Sequence, residues 1–275
     1  MKNRIVYSPS GGGKKRRELR TMIAPIALGT GVLLICGGII FALRAPRLQI
    51  RNIALSGIKT LDEKAVHEGI RARLAGTRGY VFLRSSFFLA DTGAIASGLK
   101  QDFPRIRDVA VAKKFPDKLN IVITERAFWG VFCNGLASSS TPACAFIDPD
   151  GIAYEHAPKP QGKLIITIRT DTDREIALGS PAVDPALMAG ISALTENIPA
   201  QTGIALADFE LRGRVPREIR VIAADGFTMI FNLESDYAAV LRVLKRVLDG
   251  EIKDKRIRLD YIDLRFGNKV FYKMK

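Results

Sequence analysis

The chain has 275 residues, of which 47% are hydrophobic and 25% charged. That globular balance excludes collagen-like, wholly disordered and polytopic membrane classes and leaves room for two modest domains. The charge is less ordinary: 42 Lys+Arg against 28 Asp+Glu give a net +14, which taken alone points to an anionic partner such as nucleic acid or a membrane surface.

Eight basic residues, Lys2, Arg4, Lys14, Lys15, Arg16, Arg17, Arg20 and Arg44, stand against Glu18 alone in the first 44 positions, so half of the excess lies there. Residues 1–21, with Ser8-Pro9-Ser10-Gly11-Gly12-Gly13 leading into a basic run, read as a disordered tail that meets anionic lipid headgroups. Residues 22–43, MIAPIALGTGVLLICGGIIFAL, carry no charge. As a helix they extend roughly 33 Å, enough to cross a bilayer core. More positive charge precedes this span than follows it, so the positive-inside bias places the N-terminus in the cytoplasm and everything after about residue 45 outside it. A cleaved signal peptide would have a shorter apolar stretch and an A-x-A-like site. Cys36 follows Ile35 where a lipoprotein signal wants a small residue, and reads as a membrane-buried thiol.

From Leu48 the pattern LQIRNIALSGI alternates and stops at Gly57, a strand and a turn. Thr60-Leu61-Asp62-Glu63 has capping-box spacing, and Val66, Ile70 and Leu74 recur on one helical face. A second helix is predicted over about 88–101, ending before Phe103-Pro104. The period then changes to two: Val109 and Val111, a Pro116-Asp117 turn, then Leu119, Ile121 and Ile123 make a hairpin. The order strand, helix, helix, strand, strand resembles a POTRA domain. More specifically, FPRIRDVAVAKKFPDKLNIVITER (Phe103 to Arg126), together with Ile53-x-x-x-Gly57, is similar to the signature of the FtsQ/DivIB family of bacterial cell-division proteins. A single copy directly after one N-terminal span is also that family's arrangement.

Beyond Arg126, AFWGVFC and ACAFIDPDGIAYEHAP form another predicted hairpin. Cys133 and Cys144 flank its loop at the ends of facing strands. Outside the cytoplasm such a pair is either bridged or two free buried thiols. Asp148-Pro149-Asp150-Gly151 lacks the remaining ligands of a calcium loop and reads as a tight turn. A short strand within 165–178 and a helix over 185–197 follow, then strands at 207–211, 218–223 and 227–233. Tyr237, Val240, Leu241, Leu244, Val247 and Leu248 make one helical packing stripe. The chain closes with YIDLRFGNKVFYKMK, in which Ile262, Leu264 and Phe266 are expected on one face, Tyr261, Asp263 and Arg265 on the other, and Gly267-Asn268 in a turn. The run IDLR after an amphipathic helix is similar to the end of the FtsQ β domain.

The expected architecture is α+β: a basic tail at 1–21, a transmembrane helix at 22–43, a POTRA domain (β-α-α-β-β) at 46–126, and a mainly antiparallel β domain with packed helices at 127–275. Two histidines, His67 and His156, are the whole supply for Ser-His or Cys-His catalysis. Neither HExxH nor GxSxG occurs, and Gly11-Gly12-Gly13-Lys14 lacks the spacing of a P-loop. No enzymatic activity, metal, cofactor or nucleic-acid partner is expected. The resemblance implies a scaffold at the division septum that binds the membrane-anchored coiled-coil proteins FtsB and FtsL. It also implies a partner-binding strand, for which Tyr261, Asp263, Arg265, Phe266 and Phe271 are the candidates. Arg265 is the charged anchor among them, and Arg265→Glu is expected to weaken binding by on the order of 1–3 kcal/mol. The alternative reading is a POTRA-containing chaperone or transport adaptor for extracytoplasmic polypeptides.

Overall fold

A computed structural model describes residues 28–41, 43–78, 82–135, 142–172, 175–213, 218–267 and 269–275. The basic tail lies outside the described residues, as does the start of the expected span. Residues 28–41 are helical (α1) and expose large apolar side chains along their length, among them Leu28, Leu33, Leu34 and Phe41. Among the described residues no helix is long and apolar enough to cross a membrane.

The rest of the chain is α+β and divides into two compact units. One comprises residues up to 55 with 64–95 and 111–121; the other comprises 56–63, 96–110 and 122–275. A 3-10 turn at Pro46–Leu48 leads to β1 (Asn52–Ser56), so the strand starts later than the alternation suggests. Helix α2 (Glu63–Leu74) buries Val66, Ile70 and Leu74, the stripe expected from its four-residue spacing. Strands β2 (Thr77–Arg78) and β3 (Phe82–Leu83) pair antiparallel, a small hairpin with no sequence signal. Helix α3 (Thr92–Asp102) begins at Thr92 rather than near Phe88, because the Asp91 carboxylate accepts the Ala94 N–H and caps it there. β4 (Ile106–Lys114) and β5 (Lys118–Glu125) complete a three-stranded sheet of order β1-β5-β4.

The residues that end this hairpin are anchors within the second unit. Glu125 accepts the backbone N–H groups of Lys59, Thr60 and Leu61 at 2.7–3.2 Å and the Thr60 hydroxyl. The Thr60 hydroxyl, placed by its spacing at the start of α2, donates to this carboxylate 65 residues away. Burial raises the Glu125 carboxyl, but the four hydrogen bonds outweigh it and bring its pKa from 4.5 down to about 2. A group depressed in the folded state contributes stability that is complete above its unfolded pKa and is lost as pH falls toward the folded one. Acid titration of the wild type is thus expected to show stability falling between pH 4.5 and about 2. Glu125→Gln, already lacking the charge, shows a shallower loss in that window; parallel curves for the two proteins would refute this.

The remaining strands are β6 (Gly130–Asn134), β7 (Cys144–Ile147), β8 (Ala153–Ala157), β9 (Thr167–Thr170), β10 (Leu206–Leu211), β11 (Glu218–Ala223), β12 (Thr228–Asn232), β13 (Leu259–Phe266) and β14 (Lys269–Met274). They form one sheet of order β14-β13-β12-β11-β10-β9-β6-β7-β8. Five neighbour pairs are antiparallel. Three, β12–β13, β9–β10 and β6–β9, are parallel. Helix α4 (Pro185–Thr202) is capped by Asp184, whose carboxylate accepts from Ala186 and Leu187, and ends at Gly203 in the left-handed region. It runs past the expected end at Asn197 and through Pro199. The one hydrogen bond that proline removes is offset by burial of Ile198 and by the Gly203 N–H donating to the Pro199 carbonyl. Helix α5 (Tyr237–Val247) begins at an Asp236 cap and buries Val240, Leu241 and Leu244. With α4 it joins Phe209, Val221, Met229, Phe231, Ile262 and Leu264 of the sheet in the main core. Burying each such side chain stabilises by about 1.5–3 kcal/mol.

Cys133 and Cys144 face each other across β6–β7 with Cα atoms 4.1 Å apart and are joined by a disulfide. Both are buried beside Val131. For a sequence separation of 11, loop-closure entropy predicts that reduction lowers stability by about 2–3 kcal/mol. The midpoint of urea unfolding should fall on adding reductant, and a Cys133→Ala/Cys144→Ala variant should lose that sensitivity altogether.

Candidate partner-binding edge

The strand β14 is the outer strand of the nine-stranded sheet, with β13 on one side and, among the described residues, no strand on the other. A strand in that position presents unpaired N–H and C=O groups along its free side. Its residues are mostly exposed, Phe271 at 54% and Tyr272 at 41%, with Lys269 and Lys273 beside them. Lys273 pairs with Asp260 at 3.2 Å. Charged residues of this kind are what keeps an edge from pairing indiscriminately.

On β13 the strict alternation expected of YIDLRF breaks. Ile262 and Leu264 point into the core, but Phe266 does not: it is 54% exposed. The register with β14 shifts between Asp263 and Phe266, and such a bulge moves the residues beyond it off their expected face. Phe266 instead packs edge-to-face on Phe271, ring centroids 5.4 Å apart, and the Arg265 guanidinium lies 5.5 Å from the Phe266 ring. Phe271 stands opposite Asp263 in the β13–β14 ladder.

Arg265 is held from two sides. Its Nε and Nη2 donate to the Asp263 carboxylate at 2.9 and 2.5 Å, and its Nη1 donates to Glu218 Oε2 at 2.6 Å. The second Glu218 oxygen accepts from Arg220 Nε at 2.7 Å. Glu218 and Asp263 are themselves buried. Burial raises the Asp263 carboxyl, but the hydrogen bonds and charge of Arg265, with Arg220 nearby, hold it below the usual range. Tyr261, Asp263, Arg265 and Arg220 line a surface hollow of about 340 Å³. The structure thus brings all five candidate residues to one corner of the sheet: Tyr261, Asp263 and Arg265 at the hollow, Phe266 and Phe271 as an exposed aromatic pair.

Glu218 and Arg220 belong to this cluster and were not among the candidates. Their two-residue spacing on a strand places both on one face, a visible signal, but their nearness to Arg265 depends on the neighbouring strands chosen by the sheet. His67 sits half-buried on α2 rather than on an open surface, and His156 is exposed on β8. Among the described residues no three His, Cys, Asp or Glu side chains are grouped to hold a metal ion.

A comparison with curated proteins found no match to the chain. Residues 48–126 match the family model described as "POTRA domain, FtsQ-type", a stretch that opens before β1 and closes on the Glu125-Arg126 anchor. Residues 48–126 are accordingly similar to FtsQ-type POTRA domains, about three tenths of the chain.

Proposed function

We propose that this protein is a single-span scaffold of the bacterial cell-division machinery. Residues 22–43 anchor it in the plasma membrane with the N-terminus in the cytoplasm. A POTRA domain at 46–126 and a β domain at 127–275 stand outside. FtsQ-type POTRA proteins are non-enzymatic scaffolds, typically membrane-anchored at the septum. The apolar helix α1, exposed along its length, supports the anchor. The partners are membrane-anchored coiled-coil proteins of the FtsB/FtsL type, which add a strand to β14 and so support septal peptidoglycan synthesis.

The observation that carries the reading is the free β14 edge with its aromatic pair, Phe266 and Phe271, beside an ionic cluster. Main-chain pairing supplies affinity in strand addition, and flanking side chains supply specificity. Arg265→Glu is a poor probe of this surface, because it would set a third carboxylate against Asp263 and Glu218 and perturb the sheet itself. Phe266→Ala/Phe271→Ala is cleaner, since both rings are half exposed. Capture of division partners from a membrane extract by the full-length double variant is expected to weaken by on the order of 1–3 kcal/mol, as for loss of aromatic interface anchors, with an unchanged unfolding midpoint. Wild-type capture would remove β14 from the site. Broad binding of unrelated unfolded peptides would favour the adaptor reading instead.

A further inference from the structure

The first unit carries a second exposed apolar surface, unrelated to β14. Phe87 lies edge-to-face with both Phe88 and Phe115, ring centroids 5.5 and 5.7 Å apart. Of the three, Phe88 is 57% and Phe115 67% exposed, and Leu89 beside them is also exposed. Lys113 Nζ stands 5.9 Å from the Phe87 ring. This cluster is tied by backbone bonds to the segment leaving α1. The Phe87 N–H donates to the Leu48 carbonyl at 2.8 Å and the Ile50 N–H to the Ser85 carbonyl at 2.7 Å.

We propose that this aromatic tip is a membrane-seating surface, resting in the anionic headgroup layer of the bilayer that holds the span. The inference rests on the single-span reading. Three observations select lipid as the occupant. The first is reach: Leu48 lies five positions after Leu43, the last residue of the expected span, at most about 17 Å of extended chain. The 3-10 turn at Pro46–Leu48 shortens that further. Phe87 is bonded to Leu48 itself, so the tip is confined near the bilayer surface, whose polar layer is roughly 6 Å thick on each side. The second is charge: segments 46–51, 82–89 and 113–117 hold Arg47, Arg51, Arg84, Lys113 and Lys114 against one acid, Asp117. The Asp117 carboxylate is hydrogen-bonded by Asn52 Nδ2 at 2.8 Å. Such a balance is drawn to anionic lipid. The third is side-chain type: phenylalanines flanked by lysines are the amphipathic pairing found at membrane interfaces, rings at the acyl boundary and ammonium groups among headgroups.

The test uses the full chain reconstituted in vesicles of anionic lipid with brominated acyl chains, which quench tryptophan within reach. The natural Trp129 is replaced by Phe, and single reporters are introduced as Phe88→Trp, Phe115→Trp and, as a solvent control, Leu164→Trp, a position 99% exposed. All four are conservative or surface changes. The chain is expected to float with the vesicles after alkaline carbonate, and the reporters at 88 and 115 to be quenched at least about twofold more strongly than the one at 164, since rings seated at the interface touch the acyl chains. Flotation with reporters at 88 and 115 quenched no more than the control overturns the inference and leaves the anchor standing; it is also what a protein occupant of the tip, or a second copy, would give. Failure to float overturns the anchor and the inference together.

Discussion

Replacing Asp148 by alanine is expected to cost about 3–5 kcal/mol of stability, the range for removing one partner of a buried ion pair. The side chain is 1% exposed. One oxygen accepts Arg126 Nη1 at 2.6 Å, and the other accepts the N–H groups of Asp150 and Ile152 at 3.0 and 2.9 Å. Arg126 also donates from Nε to the Pro104 carbonyl at 3.0 Å. Alanine would strand a mostly buried guanidinium and leave two turn N–H groups without their acceptor. Urea unfolding of Asp148→Ala and Arg126→Ala should show losses of similar size. The Arg126→Met/Asp148→Leu pair should lose clearly less than the two single costs added, because no charge is then left unpaired. A single-variant cost below about 1 kcal/mol, the size of an exposed pair, would show that the bridge is not what holds this turn.

Gly57→Ala is expected to destabilise by about 3 kcal/mol or more. Gly57 has φ +86°, and a Cβ built there would stand 2.0 Å from the Ile123 carbonyl oxygen and 3.1 Å from its carbon. The strain of a left-handed non-glycine residue accounts for about 1 kcal/mol. The remainder comes from displacing backbone that belongs to a sheet strand and cannot yield as a flexible side chain can. Gly203→Ala separates the two contributions: its φ is +67°, yet no atom lies within 4 Å of the added Cβ. Unfolding midpoints should therefore fall much further for Gly57→Ala than for Gly203→Ala, and equal shifts would show that backbone conformation alone makes glycine necessary at 57.

The elements were largely legible because their signals are local. The four-residue stripe of α2, the alternation of β4 and β5, the bounds of β11 and the packing face of α5 were read from spacing alone and are present in the fold. Where boundaries moved, a nearby polar or special residue moved them. Asp91 starts α3 later than apolar periodicity suggests, and Gly203 carries α4 past its proline. The candidate edge was legible only as a set of residues. That Arg265 would be occupied by Glu218, 47 residues away, and that a bulge would turn Phe266 outward to meet Phe271, followed no local pattern.

By itself the sequence determined the type of most helices and strands, though not the β2–β3 hairpin, and where the excess charge gathers. It also showed that the chain resembles an FtsQ-type protein, through a motif ending in Glu125-Arg126. Each of these rests on interactions between residues a few positions apart. Only the tertiary structure decided what that motif does: Glu125 holds the backbone of 59–61, and Arg126 holds Asp148. It alone set β13 parallel to β12 and antiparallel to β14, leaving β14 outermost. Strand order is chosen by which arrangement buries the apolar faces under α4 and α5, a balance summed over the whole core that no stretch of chain encodes locally.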